Sequence, residues 1–429
     1  MKKNLLLAAS LLIGGFAFAQ EETTVVINMK PAYADQVYYK FATNVQTPVT
    51  ATSWDLAFGN VAGVQDMGTI RINDGKGLRL FKASATASDY ATLDVTKAST
   101  WTPLYNSYTK WSEGAFDEGG AGYGWGDYNV GSHVVEGSVV FVINAGTDAA
   151  PVFTKIFISD YTLGKFNYKF SKWDAGTSSW GADQTGSVAN NATATTSFNY
   201  VSLDTNAAVT VAPADADWDL VFRKYYAPVA SGSGTVMYPV TGAYQNSNVT
   251  VAQIDDEKGA SDVVSKPATT DYSADINTIG DDWKVLNASF QYEVKPETTF
   301  YIKDVAGKVY RAYFTAFSGS AAGTATFNYK DVTATAGLNE VTKNLSFSVF
   351  PNPTATKSVT VLYDLKNTTA DNNVVTVYSL TGAKVYETKI TNNSGFYNKE
   401  LNLSSLSSGM YIVKLTAGNA SATQKLVIQ

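Results

Sequence analysis

Short runs of alternating apolar and polar residues recur along most of this chain, and that two-residue period predicts strands rather than helices. Thr24 to Lys30 and Val37 to Phe41 alternate in this way, separated by Pro31 and Asp35. Ser53-Trp54-Asp55-Leu56-Ala57-Phe58 follows and has a near copy in Asp217-Trp218-Asp219-Leu220-Val221-Phe222. Trp, Leu and Phe stand two apart in both, so one strand face is expected to carry all three, with the Asp on the other. Gly68 to Asn73 leads through Asp74-Gly75 into Leu78 to Phe81. Residues 84–100 read as loop, and 101–131 as an insert dense in Gly, Tyr and Trp. Val139 to Asn144 and a hairpin from Phe157 through Gly164-Lys165 to Phe170 complete the first set.

Four landmarks recur in the same order. They are the Trp-Asp-Leu strand, then Gly68-Thr69-Ile70-Arg71 against Gly234-Thr235-Val236-Met237. Next is the Asp160 to Lys165 hairpin against Asp304 to Lys308, and last Phe198-Asn199-Tyr200 against Phe327-Asn328-Tyr329. Repeated order predicts a duplicated module. The expected fold is all-β: two related antiparallel β-sheet modules, residues 20–200 and 201–335, a linker at 336–345, and a C-terminal immunoglobulin-like β-sandwich at 346–429. About seven short strands with regular turn signals support the sandwich.

Composition sharpens the compartment. Hydrophobic residues make up 45% and charged residues 16%, with 26 Tyr, 21 Phe and 8 Trp supplying apolar bulk. Residues 1–19 read as a secretory signal peptide: Lys2-Lys3, an apolar centre from Leu5 to Ile13, and Ala17-Phe18-Ala19 at the cleavage site. Its removal takes the formal charge from -6 to -8 by loss of two lysines. No basic run exists to neutralise phosphates, so nucleic acid is not an expected partner. No later segment is long and apolar enough for a transmembrane helix. With no Cys, neither disulfides nor thiolate chemistry is available.

From Phe347 onward the chain carries Phe350-Pro351-Asn352-Pro353 and Val377-Tyr378-Ser379-Leu380-Thr381-Gly382-Ala383-Lys384-Val385. Leu406 to Leu415 follows, including Gly409 and Tyr411, and then the terminal Lys425-Leu426-Val427-Ile428. This segment resembles the type A C-terminal sorting domain of the Bacteroidetes type IX secretion system. The resemblance implies export by that machinery and a product that is secreted or held at the outer-membrane surface.

Enzyme chemistry finds few components. His133 is the only histidine, so paired-His zinc sites are excluded, and no nucleophile elbow or Walker loop is present. Asp117, Glu118 and Asp127 flank the aromatic insert, but their spacing is not that of an EF-hand loop. A non-enzymatic binding protein is expected.

The repeated Trp-Asp-Leu-x-Phe strand is followed by Ile70-Arg71-Ile72-Asn73 and the stretch Ile158 to Phe170; in the second set Tyr301 to Phe314 follows. This series resembles the HmuY-like haem-binding proteins of Bacteroidetes. The resemblance implies a surface haem binder with axial ligands from His or Met. Met67 and Met237 are the candidate axial pair, with Met29 and His133 the other ligand types available in the passenger. A lone Met also serves as core filler. The alternative ligand is a surface glycan, stacked on Trp101, Trp111, Tyr123, Trp125 and Tyr128 of the insert, although rings that carry so much core area are expected first to plug the open side of a β-domain.

Overall fold

The computed structural model describes residues 22–61, 68–191, 193–260, 265, 267–333, 345–365, 373–391, 395–417 and 420–429. The expected leader, most of the expected linker and Met67 lie outside them. The chain divides into two compact units, one ending at Asp331 and one beginning at Val332. Among the described residues no helix is long and apolar enough to cross a membrane.

The first unit is built from two β-sandwiches. Its main strands are β1 Thr23–Asn28, β2 Asp35–Lys40, β3 Val45–Thr50, β4 Leu56–Gly59, β5 Ile70–Ile72, β6 Arg79–Ser84, β7 Val140–Asn144, β8 Phe153–Thr162 and β9 Lys165–Asp174. The remainder are β10 Gln184–Ala189, β11 Phe198–Ser202, β12 Ala207–Val209, β13 Leu220–Ser231, β14 Gly234–Gln245, β15 Thr250–Asp255, β16 Thr298–Lys303, β17 Val309–Phe317 and β18 Thr324–Asp331. In the first sandwich a β12-β11-β4-β5 sheet faces one whose spine runs β10-β9-β8-β7-β6. Leu56, Phe58, Ile70, Phe141, Ile156, Phe166 and Phe170 meet in its core. In the second, a β3-β2-β13-β14 sheet faces β1-β18-β17-β16-β15. Its core holds Val25, Ile27, Tyr39, Leu220, Phe222, Phe300, Phe314 and Phe327.

The two strand orders match place for place, but not as the sequence landmarks paired them. Strands β4 to β12 take the places that β13 to β18, and then β1 to β3, take in the second sandwich. The N-terminal strands therefore complete the distant sandwich: β1 pairs with β18, and β2 with β13. Strand β11 spans the boundary expected at residues 200 and 201. Only the Trp-Asp-Leu landmark occupies equal places. The counterpart of β11, which carries Phe198-Asn199-Tyr200, is β2 and not β18. Leu56 pairs with Ile72 and Leu220 with Gln245. Hence Ile70-Arg71-Ile72-Asn73 corresponds to Ala243 to Asn246, and Gly234 to Met237 lies at the far end of a longer hairpin. Short patterns of large apolar residues recur in any strand that must fill a sandwich, so sequence order alone mispaired them.

Asp55 and Asp219 occupy equal places and take partners of the same two kinds, a backbone N–H and a lysine. The Asp55 carboxylate accepts the Leu203 N–H at 2.6 Å and the Lys76 Nζ at 2.7 Å. Asp219 accepts the Phe41 N–H at 2.8 Å and the Lys40 Nζ at 2.7 Å. Both are buried, where a carboxylate needs such partners. Burial raises the Asp219 pKa, and the Lys40 and Phe41 donors oppose that rise.

The second unit is a small sandwich. A three-stranded sheet (Leu345–Phe350, Ser358–Leu365, Gly395–Asn402) faces a four-stranded one (Lys384–Lys389, Val374–Ser379, Gly409–Ala417, Ala420–Ile428). Its core includes Val361, Val377, Leu401, Val413 and Leu426. The fold is all-β throughout the described residues, apart from helical segments of three to six residues.

Candidate functional site

The two sandwiches of the first unit meet along the outer faces of their four-stranded sheets. Strands β4 and β13 begin at the Leu, after the Trp and Asp of the repeated motif. The Trp ring thus leaves the chain before the strand alternation starts, and the expected shared face with Leu and Phe does not form. Trp54 packs instead with Ala57, Phe198 and Val211, and Trp218 with Tyr38, Val221 and Tyr244. These two clusters are the junction. Within the first sandwich Trp54 meets Tyr200 edge-on at 5.0 Å, within the second Trp218 meets Tyr38 at 5.1 Å, and across the junction Arg223 lies over the Trp54 ring at 5.6 Å.

Trp111 of the insert fills the gap between the clusters. Its ring stands 6.0 Å from Phe198, 6.2 Å from Trp218 and 5.6 Å from Tyr244, and its Nε1 donates to the Gln245 carbonyl at 2.8 Å. Arg71 fixes the insert from below, donating to the carbonyls of Ser107, Lys110 and Glu113 at 2.6–2.8 Å. Arg223 of β13 donates to the Asp74 carboxylate at 2.5 Å, with both side chains buried. Burial pulls the Arg223 pKa down, but the Asp74 charge, aided by nearby tyrosines, outweighs it and leaves the guanidinium above its usual range.

Beside this ion pair a cleft of about 270 Å³ opens between the sandwiches. Asp74 and Asn106 form its polar floor, and Leu78, Leu80 and Leu104 its apolar wall. Tyr105 and Tyr226, one from each sandwich, face each other at 5.3 Å with a 56° tilt. At the rim Arg79 donates to Asp148 at 2.5 Å and to the Gly146 carbonyl at 2.9 Å.

The expected site residues are scattered. Met237 is half-buried on the part of the β13–β14 hairpin that extends past β2, opposite Pro228. Met29 is 1% exposed and belongs to the second core. His133 sits in the turn after Asn129, its Nδ1 2.9 Å from the Tyr128 hydroxyl. Trp101 and Trp125 are buried, against Phe153 and Phe166. Those two rings and Trp111 plug the fold, and only Tyr123 and Tyr128 of the proposed stacking set are exposed, at 40% and 48%. Asp117 accepts hydrogen bonds from Thr69 and from the Gly114 N–H, which fixes the loop; burial raises its pKa despite these donors. Asp127 is tied to Gly122 and Ser138. Among the described residues no cluster of three His, Asp or Glu could hold a metal ion.

The cleft residues carried no local signal. Asp74, Tyr105, Asp148 and Tyr226 come from four separate segments, and Tyr226 reaches the cleft from the second sandwich, three residues along β13 from the Arg223 that bonds Asp74.

Comparison with known families gives one match inside each compact unit. Residues 348–429 match the secretion system C-terminal sorting domain, and residues 194–329 match the HmuY protein family. The chain carries an HmuY-like passenger and a type IX secretion sorting domain. No curated protein matches it. The sorting domain marks the protein for export to the cell surface or beyond it.

Within the sorting domain the Pro351-Asn352-Pro353 segment is fastened to the last strand. Asn352 Nδ2 donates to the Lys425 carbonyl at 2.6 Å, and its Oδ1 accepts the Val427 N–H at 2.9 Å. Gly382 turns the chain at φ 82°, where a Cβ would strain the backbone. Gly409 opens the strand Gly409–Ala417, and the Tyr411 hydroxyl donates to the Ser407 carbonyl at 2.8 Å.

A haem site requires a broad apolar slot with one or two axial side chains. The described Met29, His133 and Met237 lie respectively in a core, a hairpin turn and a projecting arm, and none lines the cleft. The cleft itself is slightly smaller than sites for drug-sized ligands, about 300–1,000 Å³. The described residues of the HmuY-like passenger do not fit an axial haem pair.

Proposed function

We propose that the passenger is a non-enzymatic binding protein acting outside the cell, and that its ligand enters the cleft between the two sandwiches. The observation that supports this is the construction of the cleft. Rings from both sandwiches converge beside a buried ion pair, and the Asp74–Arg223 and Arg79–Asp148 bonds hold its polar side chains, an arrangement suited to a preformed site. The chain has no Cys, so Asp148→Cys at the exposed rim gives a single attachment point for a bulky maleimide. Labelling should abolish retention of the exported chain on a ligand panel of haemin and surface glycans. Unchanged retention would remove the cleft from consideration.

The HmuY match supports a second reading, in which the ligand is haem. A haemin titration of the mature chain tests it: a Soret shift lost in a Met67→Ala/Met237→Ala double variant would support haem, and a flat titration would remove it.

We infer further that the passenger is duplicated with its N-terminal strands exchanged. One repeat would be β1 to β9 and the other β10 to β18, each lending its first three strands to the other's sandwich. The place-for-place strand orders support this, as does the Phe-Asn-Tyr-Lys sequence in both β9 (Phe166 to Lys169) and β18 (Phe327 to Lys330). The HmuY match agrees too: its range runs unbroken from before β11 to within β18.

A further inference from the structure

We propose that the cleft accepts one uncharged, hydroxylated ring, a single sugar residue of a neutral glycan. The inference rests on the binding reading above and names the ligand class for that site.

Charge comes first. Two acids and two bases line or support the cleft, and they cancel in pairs. Asp74 is neutralised by Arg223 from beneath, and Asp148 by Arg79 at the rim. A charged ligand would therefore leave water without a compensating opposite charge, at a cost in desolvation. An uncharged one avoids that cost.

Shape comes second. Tyr105 and Tyr226 pack on each other at 5.3 Å and 56° and so form one continuous aromatic wall of the cleft, against which a flat ring can lie. The apolar face of a pyranose, with its C–H bonds, suits such a surface in the way that other rings suit it. A volume of about 270 Å³ holds one such ring and not an extended chain.

Hydrogen bonding comes third. The Asp74 Oδ2 receives only a long 3.3 Å contact from Asn106, which leaves acceptor capacity at the floor. At the rim an Arg donor and an Asp acceptor stand side by side, the pattern that meets two neighbouring hydroxyls, one accepting and one donating. The exposed Tyr123 and Tyr128 do not line this cleft, and the Tyr128 hydroxyl is engaged by His133.

The test is ligand-observed saturation-transfer NMR on the mature chain. The probes are the methyl glycosides of glucose, galactose, mannose and N-acetylglucosamine, with glucuronate and glucosamine as charged comparators. At least one neutral glycoside should receive transfer at its ring protons. Its affinity should fall about tenfold in Tyr105→Ala and Tyr226→Ala, as expected for loss of a stacking face. It should also fall in Asp148→Ala, a change at a side chain 91% exposed that cannot disturb the core. Tyr123→Ala and Tyr128→Ala should leave it unchanged. A preference for a charged sugar, or binding that depends on Tyr123 and Tyr128 instead, would overturn the proposal. If no glycoside binds while labelled Asp148→Cys still blocks haemin, the sugar is wrong and the binding cleft stands. If no glycoside binds and labelling blocks nothing, both fall.

Discussion

The Asp219 carboxylate holds the backbone N–H of Phe41 at 2.8 Å, although 178 residues separate them. With Lys40 on its other oxygen, Asp219 fastens an N-terminal strand into a sheet made by the second half of the passenger. Asp219→Ala would leave the Phe41 N–H and the Lys40 ammonium without their acceptor. A loss of about 3 kcal/mol is expected, in the range for breaking a buried pair from one side. Asp219→Asn, which keeps an acceptor for the N–H, should lose less. Urea unfolding of both variants checks this; equal midpoints would show that the clamp contributes nothing.

Trp111 is the side chain on which the two sandwiches meet. Trp111→Ala should cost about 3 kcal/mol, at the lower end for an aromatic truncation because the ring is only half-buried. The loss should appear as less cooperative unfolding, with the two cores melting apart in calorimetry. A single unshifted transition would contradict the bridging role.

Lys284 is almost fully buried against Trp283, donating to the carbonyls of Thr241 and Asp281. Burial holds its pKa down at about 8, only partly offset by the charges of Asp281 and Asp282. Between that value and about 10.4, where an unfolded lysine titrates, the unfolded chain binds the additional proton. The Lys284 contribution to stability should therefore increase as pH rises through this window. Lys284→Met should flatten that part of the profile of melting temperature against pH. An identical slope in both proteins would refute the assignment.

Asn352 joins the Pro-Asn-Pro segment to the C-terminal strand by two hydrogen bonds. Asn352→Ala should destabilise the sorting domain by about 1–2 kcal/mol and lower the fraction of protein reaching the surface. Deletion of 346–429 should abolish delivery. Surface proteolysis of intact cells measures both, and normal delivery after the deletion would remove the sorting role.

The sorting domain was legible from sequence because its signals are local turns: Gly382, Gly409 and the Pro351 to Pro353 segment each act within a few residues. The all-β class was legible for the same reason, from a period that every sheet obeys. The exchange of strands was not, because nothing in Val37 to Phe41 states whether Leu56 or Leu220 is its neighbour. Asp55 and Asp219 did signal their role, since an Asp within an apolar run needs donors, though not that the donors would be lysines and distant N–H groups. The aromatic insert misdirected the search. Trp101, Trp111 and Trp125 are large enough to serve core or surface, and burial decided it. The cleft could not be read because its two tyrosines become neighbours only after both sandwiches close.

The passage of β1 to β3 into the far sandwich also changes what a cut would do. The segment between Val209 and Leu220 links two halves of the passenger, and in a plain string of beads a protease acting there would release two separate parts. Here the amino-terminal fragment would keep three strands embedded in the other, through the β1–β18 and β2–β13 pairings. The nicked protein should travel as one particle until it is denatured. At an exposed cell surface, where proteases are part of the environment, this interlock lets the backbone be broken while the assembled passenger persists.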